Sequence, residues 1–195
     1  MIILPNVGIG NLKSVSRMLD KVGAKHSITT NSDDLKHADK VILVGVGHFD
    51  SYLESLKKYD FHEPIRDILL ENDKPFLGIC VGMQVLYEGS EEGLAKGYEV
   101  FKGHFQKFKF NEKENFKVPH MGWNSVKPNP EYSNFFTNDE FERFYFVHSY
   151  RVVMEVDNQQ LSSTFYGESF TSSAVNKNIF GVQFHPEKSH IYGLN

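Results

Sequence analysis

Pro75-Phe76-Leu77-Gly78-Ile79-Cys80-Val81-Gly82-Met83-Gln84 sets a short apolar run against a helical pattern, with a Gly-x-Cys-x-Gly frame at the junction. The spacing predicts a strand through Ile79 and a helix that contains Met83, Val85, Leu86 and Tyr87. A bend of this kind is tight and strained, and flanking glycines let the neighbouring strand and helix approach. It also sets the thiol at a helix N-terminus, where the dipole favours the thiolate. That matters because a free thiol, with a pKa of about 8.5, is only a few per cent ionised at neutral pH. A lone cysteine is otherwise a small buried hydrophobe. The glycine frame makes Cys80 a candidate nucleophile instead.

Outward from this bend the N-terminal half alternates strand and helix. Ile2-Ile3-Leu4 and Val41-Ile42-Leu43-Val44 are strand candidates. Asn11 is placed to cap a helix with an inner face of Leu12, Val15, Leu19 and Val22. Further helices carry Tyr52 and Leu56, then Phe61, Ile65, Ile68 and Leu69. This order implies βαβ units and a parallel sheet. Beyond Gly93 the texture changes. Phe105, Phe108, Phe110, the run Phe144 to Val153, and the segments Leu161 to Phe165, Phe170 to Val175 and Ile179 to Phe184 are rich in aromatic and β-branched residues. They read as antiparallel strands added to the parallel core. Lys127 to Asp139, with Pro128 and Pro130, reads as a surface loop. The expected fold is therefore α/β: a central, largely parallel sheet flanked by helices, with added antiparallel strands, in one domain over residues 1–195.

Composition narrows the function. The 195 residues hold 21 Lys and Arg against 25 Asp and Glu, a net charge of −4. That balance lacks the basic excess a nucleic-acid partner requires. Mean hydropathy is −0.39, and no apolar run approaches a membrane span. The N-terminus has no basic n-region, so no secretory signal is expected. One cysteine permits no intramolecular disulfide and fits a reducing cytosol, so a cytoplasmic location is expected.

Phe184-His185-Pro186-Glu187 supplies what a thiol nucleophile lacks. A triad needs an imidazole near sulfur and a carboxylate on the other ring nitrogen. In extended backbone, residues two apart point the same way, which would set Glu187 beside His185. His62-Glu63 is followed by Arg66 where a zinc-binding helix would carry histidine, so no metal is expected. Gly8-Ile9-Gly10 and Gly45-Val46-Gly47 both end strands. Lys13 and Asp50 stand where a dinucleotide fingerprint needs its third glycine, so no cofactor is expected either. Each turn is either a plain tight turn or part of an oxyanion hole.

These pieces together resemble the class I (triad) glutamine amidotransferases, on Gly78 to Gln84 and Phe184 to Glu187. Val7-Gly8-Ile9-Gly10-Asn11, Gly45-Val46-Gly47-His48-Phe49, Pro119-His120-Met121-Gly122-Trp123-Asn124, Phe146 to Tyr150 and Gln183 to Ser189 are similar to the branch of glutaminase subunits that serves imidazole glycerol phosphate formation in histidine biosynthesis. The resemblance implies glutamine hydrolysis by Cys80, His185 and Glu187. It implies an oxyanion hole of Val46, Gly47 and Val81, and a glutamine site of Gly47, Gln84, His148, Ser149 and Tyr150. It further implies that ammonia passes to a (β/α)8-barrel synthase subunit in a heterodimer, with Asn11, Trp123 and Tyr145 at that interface. Trp123 and Tyr145 also admit a reading as ordinary core packing. Val44 stands where many members carry proline, and Asn6-Val7 where many carry Asp-Tyr. Two other enzymatic readings stay open: a paralogous subunit feeding ammonia to a synthase that amidates a surface-polysaccharide sugar, and a stand-alone thiol hydrolase. A non-catalytic binding module leaves the joint presence of Cys80, His185 and Glu187 unexplained.

Overall fold

The computed structural model describes residues 1–71, 73–111, 115–136, 142–152 and 159–194. The first half is built from β1 (Ile2–Pro5), α1 (Leu12–Lys21), β2 (His26–Thr29), β3 (Lys40–Gly45), α2 (Phe49–Lys58), α3 (His62–Glu71), β4 (Phe76–Cys80) and α4 (Val81–Gln84). The second half adds β5 (Gly89–Ser90), β6 (His104–Lys107), β7 (His120–Pro128), β8 (Glu142–His148), β9 (Tyr150–Arg151), β10 (Gln160–Tyr166), β11 (Glu168–Asn176) and β12 (Ile179–Val182). Among the described residues, nine strands form one sheet in the order β2-β1-β3-β4-β12-β11-β10-β7-β8. The first five of these run parallel, and β11, β10, β7 and β8 are antiparallel to their neighbours. This is the α/β architecture that the sequence implies. Val41 to Gly45 is buried throughout, the mark of a parallel strand covered on both faces.

Several elements depart from their sequence reading. The helix after Cys80 is a single turn. The carbonyls of Val85, Leu86 and Tyr87 accept the N–H groups of Tyr98, Val100 and Glu99, so the chain turns aside where a longer helix would continue. α1 ends at Lys21, which leaves Val22 exposed rather than on the inner face. Asn11 occupies the N-cap position, but only its carbonyl takes part, accepting the Ser14 and Val15 N–H groups. β12 stops at Val182 and pairs parallel with β4, not antiparallel. The run from Phe144 breaks at Ser149 between β8 and β9, and Val153 lies outside the described residues. Lys127 and Pro128 belong to β7, and Pro130–Phe135 is a 3-10 segment; residues 137–139 of the expected loop lie outside the described residues. β6 takes in Phe105 alone, while Phe108 and Phe110 stack on each other at 5.4 Å. No helix among the described residues is long and apolar enough to cross a membrane.

The parallel strands matter for what they bring together at their carboxyl ends. β4 lies between β3 and β12, so Cys80 pairs with Gly45 on one side while Val182 leads to His185 on the other. The bend at Cys80 is held by backbone lying directly on backbone. A Cβ on Gly82 would sit 2.0 Å from the Leu43 carbonyl oxygen, and one on Gly78 would sit 2.4 Å from the Gly82 carbonyl oxygen. Neither neighbour is a side chain that can swing away. We expect Gly82→Ala to cost at least about 3 kcal/mol, the upper end of ordinary overpacking. The melting temperature in calorimetry should then fall by about 6 °C or more. An unchanged melting temperature would mean that this contact does not constrain the bend.

Candidate active site

Cys80 is the last residue of β4, and its backbone is held at φ 56° and ψ −113°. For a residue with a Cβ this conformation costs about 1–3 kcal/mol and persists only where the surroundings enforce it. Here the Gly78–Gly82–Leu43 contact does so. Because α4 is one turn long, the dipole expected from the sequence adds little. The polar support for the sulfur comes from side chains. Gln183 Nε2 lies 3.7 Å from Cys80 Sγ, and Gln183 Oε1 in turn accepts from Gln84 Nε2 at 3.0 Å.

His185 enters from β12. Its N–H donates to the Tyr145 carbonyl at 2.8 Å, and its own carbonyl accepts from Ser189 Oγ at 2.6 Å. The backbone at His185 is thus held at both its N–H and its carbonyl. Nδ1 donates to Glu187 Oε1 at 2.8 Å, with both side chains fully buried. The route to that bond is not the extended one read from the sequence. Pro186–Lys188 is a 3-10 turn begun at His185, and the turn folds the carboxylate back onto the ring. His185 Nε2 is buried and meets no strict hydrogen-bond geometry among the described residues. Such bonds are often loose before a ligand arrives. Burial alone would lower the imidazole pKa. The hydrogen bonding and charge of Cys80 and Glu187 outweigh it and raise the value to about 9. Sulfur and ring are therefore electrostatic neighbours, with the ring held protonated.

Both groups open on a cavity of about 360 Å³. Of the residues singled out by sequence, Val46, Gly47, Cys80, Val81, Gln84, His148, Ser149, Tyr150 and His185 line it. Glu187 lies behind His185. Gly47 has φ +95° and open space around its Cβ position, while the preceding strand is pinned where Tyr52 Oη donates to the Val44 carbonyl at 2.9 Å. Gly8 and Gly10 do not line the cavity; Gly10 instead packs on the Val44 carbonyl. Asn11, Trp123 and Tyr145 also lie outside it. Trp123 is 39% exposed, and its ring stacks on His190 at 5.7 Å and meets Tyr145 edge-on at 6.4 Å. Among the described residues, no group of three or more His, Cys, Asp or Glu side chains converges as a metal centre would.

Glu92 and Lys188 also line the cavity, and the sequence reading gave neither a role. Glu92 sits in Glu91-Glu92-Gly93, which reads as an ordinary solvated charge. Only the tertiary fold carries its carboxylate to the start of α2, where it accepts the Phe49 N–H at 2.8 Å. Lys188 follows Glu187 directly in a quoted motif, but no spacing rule pointed it at the cavity.

The comparisons with known proteins agree with this picture. The family described as glutamine amidotransferase class-I matches residues 3–192. The imidazole glycerol phosphate synthase subunit HisH 2 of Pseudomonas aeruginosa is 40% identical over 194 residues, covering 100% of this chain and 95% of that protein. Its namesake from Methanococcus maripaludis is 42% identical over 197 residues, with the same coverage. Among solved structures, one described as a glutamine amidotransferase superposes with a TM-score of 0.75 at 12% identity, covering 100% of this chain and 95% of that one. The structure of PurLQS from Thermotoga maritima gives 0.68 at 22% identity, covering 95% and 87%. The structural likenesses speak to the fold, and the sequence matches across nearly every residue speak to descent: the chain belongs to the class-I glutamine amidotransferases and is an enzyme of that family.

Proposed function

We propose that residues 1–195 form a single glutaminase domain that hydrolyses glutamine to glutamate and ammonia. The observation that carries this reading is the shared cavity of Cys80 and His185, with Glu187 Oε1 2.8 Å from the far ring nitrogen. Cys80 attacks the side-chain amide carbon, and the carbonyl oxygen gains negative charge as the C–S bond forms. The N–H of Val81 and an N–H of Val46 or Gly47, after that peptide turns, stabilise the oxyanion. The C–N bond then breaks as protonated His185 gives its Nε2 proton to the departing nitrogen, leaving a γ-glutamyl thioester and ammonia. His185, now neutral, takes a proton from water as the water attacks the thioester. The C–S bond breaks, glutamate leaves, and the sulfur and protonated ring are restored. Glu187 holds the ring in orientation throughout. Gly47, Gln84, His148, Ser149 and Tyr150 hold the glutamine, and Glu92 suits its α-ammonium.

Water converts free ammonia to unreactive ammonium, so the product is useful only if it is handed on. We assign that role to a (β/α)8-barrel synthase subunit docked on the face of Asn11, Trp123 and Tyr145, with ammonia channelled to imidazole glycerol phosphate formation in histidine biosynthesis. The names of relatives about 40% identical support this acceptor. The departures at Asn6-Val7 and Val44 favour a second reading in which the synthase amidates a surface-polysaccharide sugar.

Cys80→Ala should lower glutamate release by about a thousandfold or more, the usual consequence of losing a nucleophile, while circular dichroism and synthase binding stay unchanged; retained turnover would refute the assignment. The chain alone should release glutamate slowly, and much faster with the matching synthase and its acceptor. Comparing histidine-pathway and sugar-amidating synthases by that rate decides between the two acceptors, and full speed without either points to a stand-alone hydrolase. The ring's pKa of about 9 lies above its ordinary 6.5. Stability from the protonated ring is therefore complete below about pH 6.5 and lost as pH rises through about 9. kcat/KM should fall over the same alkaline range, where the leaving nitrogen loses its proton donor. Glu187→Gln removes a raising influence and should move that alkaline limb to lower pH. A limb that stays in place would remove Glu187 from the reading.

A further inference from the structure

We propose that His120 and Asn124 are positioning residues of the glutamine pocket, which through a directional chain of hydrogen bonds fix the tautomer of His148 and hence the set of the Ser149–Tyr150 segment. The identity of the ligand rests on the glutaminase reading. The chain itself rests on geometry.

The direction of its bonds is set by a carbonyl at each end, Tyr150 and Phe165. His148 Nδ1 lies 2.7 Å from the Tyr150 carbonyl oxygen, which can only accept, so Nδ1 carries the proton. His148 is neutral: burial lowers its pKa to about 3, with His120 and His185 adding to the effect and the Tyr150 carbonyl opposing it. Its Nε2 is therefore an acceptor, and His120 Nδ1, 2.9 Å away, must donate to it. Burial likewise lowers His120 to about 4, so its Nε2 accepts from Asn124 Nδ2 at 3.2 Å. The amide cannot be turned the other way round, because Nδ2 also donates to the Phe165 carbonyl at 3.0 Å and Oδ1 takes the Ser125 N–H at 2.8 Å. Reversing any one bond sets two acceptors or two donors face to face.

The rings are also held mechanically. His120 is stacked against Tyr166 at 4.0 Å and Phe146 at 4.8 Å, each at 24° between planes. His148 lies against Phe108 and Phe170. At the pocket end the Ser149 carbonyl is taken by the Phe108 N–H at 3.0 Å and the Tyr150 carbonyl by His148. Both carbonyls of this cavity-lining segment are thus committed to the protein. Without a donor from His120, His148 gains freedom to adopt the other tautomer, and the Tyr150 carbonyl loses its partner. A packing role alone would tolerate an aromatic ring at position 120, whereas a positioning role needs the N–H.

The test uses the full chain, by steady-state glutamate release and by nitrogen NMR of the histidine rings. The wild type should show His148 neutral with the proton on Nδ1. His120→Phe should raise KM for glutamine about tenfold, as expected when one orienting hydrogen bond is lost, with kcat within about threefold, and should erase that NMR signature. His120→Asn, whose amide N–H can stand in for Nδ1–H, should recover most of the KM. Should the Phe variant fail to fold, Asn124→Ala is expected to raise KM about twofold to threefold by releasing the His120 tautomer. The proposal is overturned by an unchanged KM in whichever variant folds, by equal KM values in the Phe and Asn variants, or by a wild-type His148 protonated on Nε2. A wild type that releases no glutamate even with the synthase and its acceptor present, its NMR signature intact, refutes the glutaminase reading, and the pocket role assigned here with it.

Discussion

The Leu43 carbonyl oxygen occupies the space where Gly82 would carry a β-carbon, 2.0 Å from that position. No rotamer change relieves such a contact, because both partners are backbone. With Gly78 tucked against the Gly82 carbonyl, it presses the turn after β4 into the strand beside it, and the chain can pass only by taking Cys80 through φ 56°. The sulfur is thereby lifted out of the sheet's carboxyl edge into the cavity. The parallel strands on either side supply the remaining groups: β3 runs into Gly45-Val46-Gly47, and β12 runs into His185. The strain at one residue is sustained by the packing of the three strands around it.

Burial acts with the same sign on the site's histidines, yet their charge states differ. His148 and His120 are flanked by other imidazoles, a carbonyl and aromatic rings, so nothing opposes desolvation enough to keep a proton on a second nitrogen. His185 meets a carboxylate on one side and sulfur on the other, and these overcome the same penalty. The result is one ring suited to moving protons and two suited to holding geometry, all within one cluster. The choice is made by the partners of each ring and not by depth.

Much of this was legible in the residues. Alternating apolar runs announced the parallel half, and the glycine frame around Cys80 together with His185-Pro186-Glu187 announced the groups that converge. What was not legible depends on long-range backbone bonding. The helix after Cys80 is cut to one turn because Tyr98 to Val100 claim its carbonyls, a pairing no local pattern encodes. β2, His26–Thr29, has little apolar character and forms because β1 offers it an edge. β12 looked like its antiparallel neighbours, and only its place beside β4 makes it parallel. Glu187 reached His185 through a tight turn where extended backbone was expected, so the contact was anticipated for the wrong local reason. Glu92 was invisible as one charge in an acidic pair until the fold carried it across to α2.

The chain holds a single cysteine, and that residue is the one lifted into the cavity. Any thiol-selective reagent therefore has one place to go, and it lies beside the amide that the proposed reaction would cleave. The molar uptake of such a reagent counts competent sites in a preparation, and protection by a competing small molecule reports occupancy of that cavity alone. The same arrangement exposes the protein to oxidants at the atom to which the proposed reaction assigns the attack, with no second thiol in the chain to form a reversible disulfide and shelter it from further oxidation.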